Sequence, residues 1–245
     1  MRFLPLLLLP VLYWQCSTGG GISAPPTPSG SDAKAILVAN DVLNAQGGKQ
    51  AWDNTRYIRW NFFGNRTLLW DKHAGMCRID WAKRPLKVIV NLNDGSGRVW
   101  INNVPQSQPD TLAKYLKMGK EVWINDSYWL VMPYKMLDQG VTLRYLGEAQ
   151  DDAKANCHLL EMTFKNVGVT PDNKYQVWVD KQQKLVSQWA FFTKNTDAEP
   201  RFKNPWRNYK RYGNIQLSDS RGDGRSLAPV EVLETVPADA FEGAN

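Results

Sequence analysis

The chain has 245 residues, 43% hydrophobic and 22% charged, the balance of a globular protein, which excludes general disorder. Its length suits one large domain, since all-β folds of this size are commonly single. Eleven Trp, nine Tyr and eight Phe, with a formal net charge of +6, exclude an acidic solvating chain and favour pleated, half-buried surfaces, ligand-contacting walls and anionic partners.

In chain order, Arg2 precedes FLPLLLLPVLYW (residues 3–14), a charged and then apolar stretch that makes residues 1–15 a signal peptide. The apolar run is too short to span a bilayer, which takes about 20 residues. Cys16 follows at once, in a place that resembles the lipobox of bacterial lipoproteins, so its lipidation is expected. Tyr13, Trp14 and Gln15 depart from the usual lipobox residues, and ordinary secretion with cleavage in 19–24 is the alternative. Residues 16–31, rich in Pro, Gly and Ser, read as the lipidated terminus and a flexible tether. Residues 32–245 read as a single domain.

Ser31 or Asp32 is placed to cap a helix running to about Gln46, with Ala35, Ile36, Ala39, Val42 and Leu43 as its apolar stripe and Gly47-Gly48 as its stop. A short turn, KQAWDN, follows. From Tyr57 the period changes to two. Ile58, Trp60 and Phe62, then Leu68 and Trp70, Cys77, Ile79 and Trp81, and Leu86, Val88 and Val90 alternate with polar residues. Asn93-Asp94-Gly95 turns the chain towards Val99–Ile101. Asp110 caps a helix expected to end near Gly119.

The stretch Trp123–Gly140 is crowded with adjacent apolar and aromatic residues and shows neither alternation nor a single stripe. It reads as a buried strand in a curled sheet, or as a flap over an apolar pocket, bent at Pro133. Strand signals recur at 141–146, 158–165, 174–180 and 184–193, and again at 213–217 and 230–236.

Arg201, Lys203, Arg207, Lys210 and Arg211 interleave with Phe202, Trp206, Tyr209 and Tyr212, with no acid among them. Inside a cell this pattern suits single-stranded nucleic acid. Behind a signal peptide, an anionic lipid head group or a phosphorylated saccharide suits it better, and a solvated basic surface is the plain alternative. No G-x-S-x-G occurs, and His73, His158, Cys77 and Cys157 lack metal-ligand spacing, so no catalytic residue, metal or cofactor is assigned. Pairing of Cys77 with Cys157 stays open.

The order of elements, with NDSYWLVMPYKMLDQG (125–140), LLEMTFKNVGVTPDNKYQVWVD (159–180) and LVSQW (185–189), resembles the outer-membrane lipoprotein-sorting (LolA/LolB-like) superfamily. The resemblance implies a mainly β (α+β) fold, an incomplete, strongly curled antiparallel β-barrel with a few helices covering the open side. It also implies an exported, lipid-anchored protein of the bacterial envelope, at the periplasmic face or the surface of a membrane, the outer one expected, binding a lipid or acylated ligand in an apolar cavity. A lipidated Cys16 makes the chain look like an anchored acceptor more than a soluble shuttle. Trp60, Phe62, Trp70, Val88, Val90, Trp129, Leu130, Met132, Met136, Phe164 and Trp189 are the expected wall. Two alternatives stand beside this reading. One is an envelope enzyme acting on polysaccharide through Asp71, Asp80 or Glu161. The other is a structural lipoprotein whose own side chains fill its interior.

Overall fold

Alternation of Ile58, Trp60 and Phe62 with Arg59 and Asn61 gives a strand with one buried face, and further runs of the same kind follow at hairpin spacing. In the computed structural model, which describes residues 30–165, 167–168 and 172–243, they form an antiparallel meander. Its strands are β1 (Tyr57–Phe62), β2 (Arg66–Asp71), β3 (Met76–Trp81), β4 (Leu86–Asn91), β5 (Gly97–Ile101) and β6 (Val104–Pro105). The signal peptide, Cys16 and most of the tether lie outside the described residues. A seventh strand comes from far along the chain: β14 (Val230–Leu233) pairs with β1, Ile58 opposite Val232. The segment after β14 then crosses the back of this first sheet. The guanidinium of Arg78 donates to the carbonyl of Ala240 and that of Arg98 to the carbonyl of Glu242.

A second antiparallel sheet holds β7 (Val141–Gln150), β8 (Asn156–Phe164), β9 (Lys174–Asp180), β10 (Val186–Phe192) and β11 (Phe202–Pro205), in sequential order. A ribbon of β12 (Arg207–Tyr212) and β13 (Ile215–Ser220) completes the strands. The sheets are strongly curled, neither closes on itself, and helices cover the open side, as the expected fold class has it.

Helix α1 (Ala33–Ala45) buries Ala35, Val38, Ala39 and Val42 against the inner face of the second sheet. Ser31 and Asp32 do not cap it with their side chains. The Ser31 hydroxyl accepts from the Leu143 N–H and the Asp32 carboxylate from the Tyr145 N–H, both at 2.9 Å, so they finish the free edge of β7 instead. Gly47, at φ +115°, turns the chain into α2 (Gly48–Asn54), and a Cβ there would lie 2.0 Å from the Asn214 carbonyl oxygen.

The largest departure from expectation is α3, which runs from Pro109 to Val131 and ends in a 3-10 turn, Met132–Tyr134. Trp123–Val131 is therefore helix and not strand, and Gly119 does not stop it. The missing side chain of Gly119 lets α3 press onto β4, where a Cβ would stand 2.7 Å from Val88 Cγ1. The second half of α3 shows no single stripe because it is covered from several sides. Leu130 and Val131 enter the core of the first sheet and Tyr128 enters that of the second. The bend at Pro133 is present, in the 3-10 turn where its missing N–H costs nothing.

Two pins fix α3. Asp126, fully buried, accepts from Arg66 of β2 at 2.5 and 2.7 Å. Arg221, also fully buried, donates to the Trp129 carbonyl at the helix C-terminus, and to the Ser218 hydroxyl and the Ser220 carbonyl at 2.8 Å each. Its guanidinium lies 3.5 Å from the Trp206 ring centre. Burial pulls its pKa down to about 9, which leaves it charged at neutral pH.

Candidate functional site

With its C-terminal end held, α3 presents Ile124 and Tyr128, one turn apart, with Asn125 and Trp129 beside them. They face the inner side of the second sheet. Strand parity brings Phe164, Tyr175 and Trp189 to that side, from β8, β9 and β10. Between helix and sheet lies a cleft of about 90 Å³ lined by Ile124, Asn125, Tyr128, Trp129, Phe164, Val167, Gly168, Asn173, Tyr175 and Trp189. A groove of about 330 Å³ continues it along α3, sharing Ile124, Tyr128 and Phe164 and adding Trp123, Ser127, Gln139 and Val141. Lys135 and Asp138, paired at 2.7 Å, also line the groove.

The rings form one connected wall. Tyr128 meets Phe164 edge-on at 6.0 Å, Phe164 meets Tyr175 at 5.6 Å, and Tyr175 stacks on Trp189 at 5.0 Å and 13°. Trp129 packs edge-on to Trp189 at 4.9 Å and stacks on Phe202 at 5.6 Å. Centroid distances of this kind are those of favourable aromatic pairs. Burial pushes the phenols of Tyr128 and Tyr175 up, so both stay neutral and the wall carries no charge of its own. Its few polar atoms are only partly satisfied. The Tyr128 hydroxyl reaches the Met162 sulfur at 3.6 Å, and Asn173 donates to the Thr193 carbonyl at 2.6 Å. The indole N–H groups of Trp123 and Trp189 are buried without a partner among the described residues, as is the amide of Asn204, which faces Trp189 across the ladder.

Of the residues expected to form the wall, Trp129, Phe164 and Trp189 line this cleft. Trp60, Phe62, Trp70, Val88, Val90 and Leu130 pack together in the core of the first sheet, and Met132 and Met136 in that of the second. Ile124, Tyr128 and Tyr175 belong to the wall and were not expected there. Tyr175 shares its parity with Val177 and Val179, a signal present in the sequence. Ile124 and Tyr128 become neighbours only once their segment is known to be helical.

The three candidate acids do not converge. Burial raises the Asp71 carboxyl, but Arg56 at 2.9 Å and the N–H groups of His73 and Ala74 outweigh it and hold the group below the usual range. Asp80 stands at the other end of the β2–β3 ladder, bonded to Arg78 at 2.7 Å. Glu161 lies on the other sheet, 3.9 Å from Lys174. Cys77 and Cys157 are free, buried thiols, on different sheets. His158 accepts or donates at Nδ1 with the Tyr145 hydroxyl, 3.1 Å away. Arg201, Lys203, Arg207, Lys210 and Arg211 are all exposed on β12 and the approach to it.

No protein-family model matches the chain, and no curated protein matches it. Among solved structures it is similar to a DUF1329 family protein from Desulfovibrio piger, with 13% identity over 85% of this chain and 97% of that one, at a TM-score of 0.45. It is also similar to MucB in complex with MucA(peri), with 13% identity over 83% of this chain and 66% of that one, at a TM-score of 0.27. Neither likeness is close enough to carry a function across.

Proposed function

We propose that the chain binds a lipid or acylated ligand, one apolar chain at a time, in the aromatic cleft between α3 and the second sheet. In this reading it is an exported carrier or anchored acceptor of the LolA/LolB-like kind, at the outer membrane's periplasmic face. The observation that carries the reading is the cleft itself. It is an uncharged wall of five rings, open to solvent, beside two sheet interiors packed with apolar side chains. The groove of about 330 Å³ is at the small end of ligand sites, which suits one chain segment and not a bundle. Each methylene taken from water adds about 0.8 kcal/mol. The signal-peptide pattern and the position of Cys16 support the envelope address and the anchor.

Titration with a fluorescent fatty-acyl probe tests it. Ile124→Trp places a ring in the space where cleft and groove join, and is expected to weaken probe binding at least tenfold, about 1.4 kcal/mol, with little change in melting temperature. Native mass spectrometry of the purified protein is expected to show a copurifying lipid. Absence of probe binding to the unaltered chain sinks the reading and favours the structural lipoprotein.

A further inference from the structure

The segment from Arg201 to Tyr212 sorts its side chains cleanly. Phe202, Asn204 and Trp206 turn inward while Arg201, Lys203 and Arg207 are exposed. Asn208, at φ +60°, resets the alternation, after which Tyr209 and Tyr212 pack against the cores and Lys210 and Arg211 stay exposed. The five cations fall within the eleven residues 201–211. Of the arginines elsewhere, Arg56, Arg59, Arg66, Arg78 and Arg225 are paired with carboxylates, those of Asp71, Glu231, Asp126, Asp80 and Asp223. In the strip only Lys210 has such a partner, Asp219 at 3.2 Å, and Lys203 lies 5.8 Å from the Trp178 ring centre. Arg201, Arg207 and Arg211 have no ion pair among the described residues.

Phe202, between Arg201 and Lys203, stacks on Trp129 and, at 5.0 Å, on Phe191, while the two cations point to the opposite face of the second sheet, where Lys203 lies by Trp178. A soluble phosphate is held by donors that converge on a point, whereas these cations are strung along an extended segment. An extended array of charges meets more of them than a point anion can.

We infer that the strip docks on an anionic lipid bilayer. The docking stands on the charges alone. Passage of a chain from bilayer to cleft rests on the proposed acyl binding.

Flotation with phosphatidylcholine vesicles, with and without phosphatidylglycerol, tests it on the full chain carrying Cys16→Ala, so that no acyl anchor contributes. Binding is expected only with phosphatidylglycerol present, and to fall as salt rises. Replacing Arg201, Arg207 and Arg211 together with Gln is expected to weaken it roughly a hundredfold, about fivefold for each cation. Lys83, Lys114 and Lys194, exposed elsewhere, replaced together with Gln change the net charge equally and are expected to leave binding within roughly threefold. Equal loss in both triple variants overturns the inference, because net charge then explains it. So does equal binding to phosphatidylcholine alone, or release by inorganic phosphate at matched ionic strength, which marks a point-anion site. Ile124→Trp separates the two readings: it is expected to lose the acyl probe and keep the vesicles. Vesicle binding in a protein that takes no probe leaves the docking standing and removes the cleft function.

Discussion

At Asp126 two opposed effects can be weighed. Burial pushes its carboxyl up, and Arg66 with Asn125 pulls it down; burial wins, and the pKa stays above the ordinary value. Taking the carboxylate out of water is therefore not fully offset, although both oxygens are bonded. Arg66→Met removes most of the offset, leaving only the Asn125 amide, and is expected to cost about 3–5 kcal/mol near neutral pH, read by urea unfolding. The sign of the pH effect follows. A carboxyl whose folded pKa lies above its unfolded value binds more protons when folded, so its contribution falls as pH rises through that window. In the variant the window moves further up, so the deficit against the unaltered protein is expected to shrink as pH is lowered. A deficit that grows in acid would falsify this account. Asp71 works in the other direction. Its folded pKa is depressed, so the stability it contributes is present above its unfolded pKa and is lost as pH falls through the folded one.

Helix α3 depends on a residue that propensity alone disfavours. Gly119→Ala gains up to about 1 kcal/mol of helix propensity, but its Cβ would meet Val88 Cγ1 at 2.7 Å, and overpacking costs about 1–3 kcal/mol. Net destabilisation is expected, and Val88→Ala in the same chain is expected to recover part of it, seen as coupling in a double-mutant cycle. A Gly119→Ala protein more stable than the parent would show that the contact relaxes freely. The same helix marks the limit of what was legible in the sequence. Strands β1 to β5 and β7 to β10 were legible because their apolar residues recur at a period near two, although Val88–Val90 and Val177–Val179 are buried in succession. The second half of α3 touches two cores, so its apolar residues fill every side and its period vanishes. Ser31 and Asp32 look like caps by type, but their oxygens serve the edge of β7, a partner more than a hundred residues away. Within the cleft, Trp129, Phe164 and Trp189 stood out as large rings in apolar runs. Tyr128 needed a helix, and Trp60 or Val88 could not be told from wall residues, because core and pocket draw on the same side chains.

In the whole molecule, the two sheets have separate cores, and Trp129 packs against both. Phe62 and Phe63 lie 6.3 and 5.3 Å from its ring, and Trp189 and Phe202 lie 4.9 and 5.6 Å from it. The cleft therefore lies at the seam where α3 joins the two layers. Side chains there are shared between cores and only half covered, as ligand sites between packed units often are.

The pairing of β14 with β1 has a consequence for biogenesis. Arg59 and Glu231, which clasp the two strands at 2.5 Å, are 172 residues apart. A chain made from its N-terminus exposes Tyr57–Trp60 long before their partner arrives. Throughout that interval the first sheet offers a bare, apolar edge of the kind that recruits other chains. A chain ending at Ala228 keeps that edge bare permanently. It is expected to scatter light and sediment at concentrations where the complete chain stays clear, and a clear solution of the shortened chain would show that β1 is shielded in some other way. The edge of β1 is therefore closed by one of the last segments to be made, Val230–Leu233.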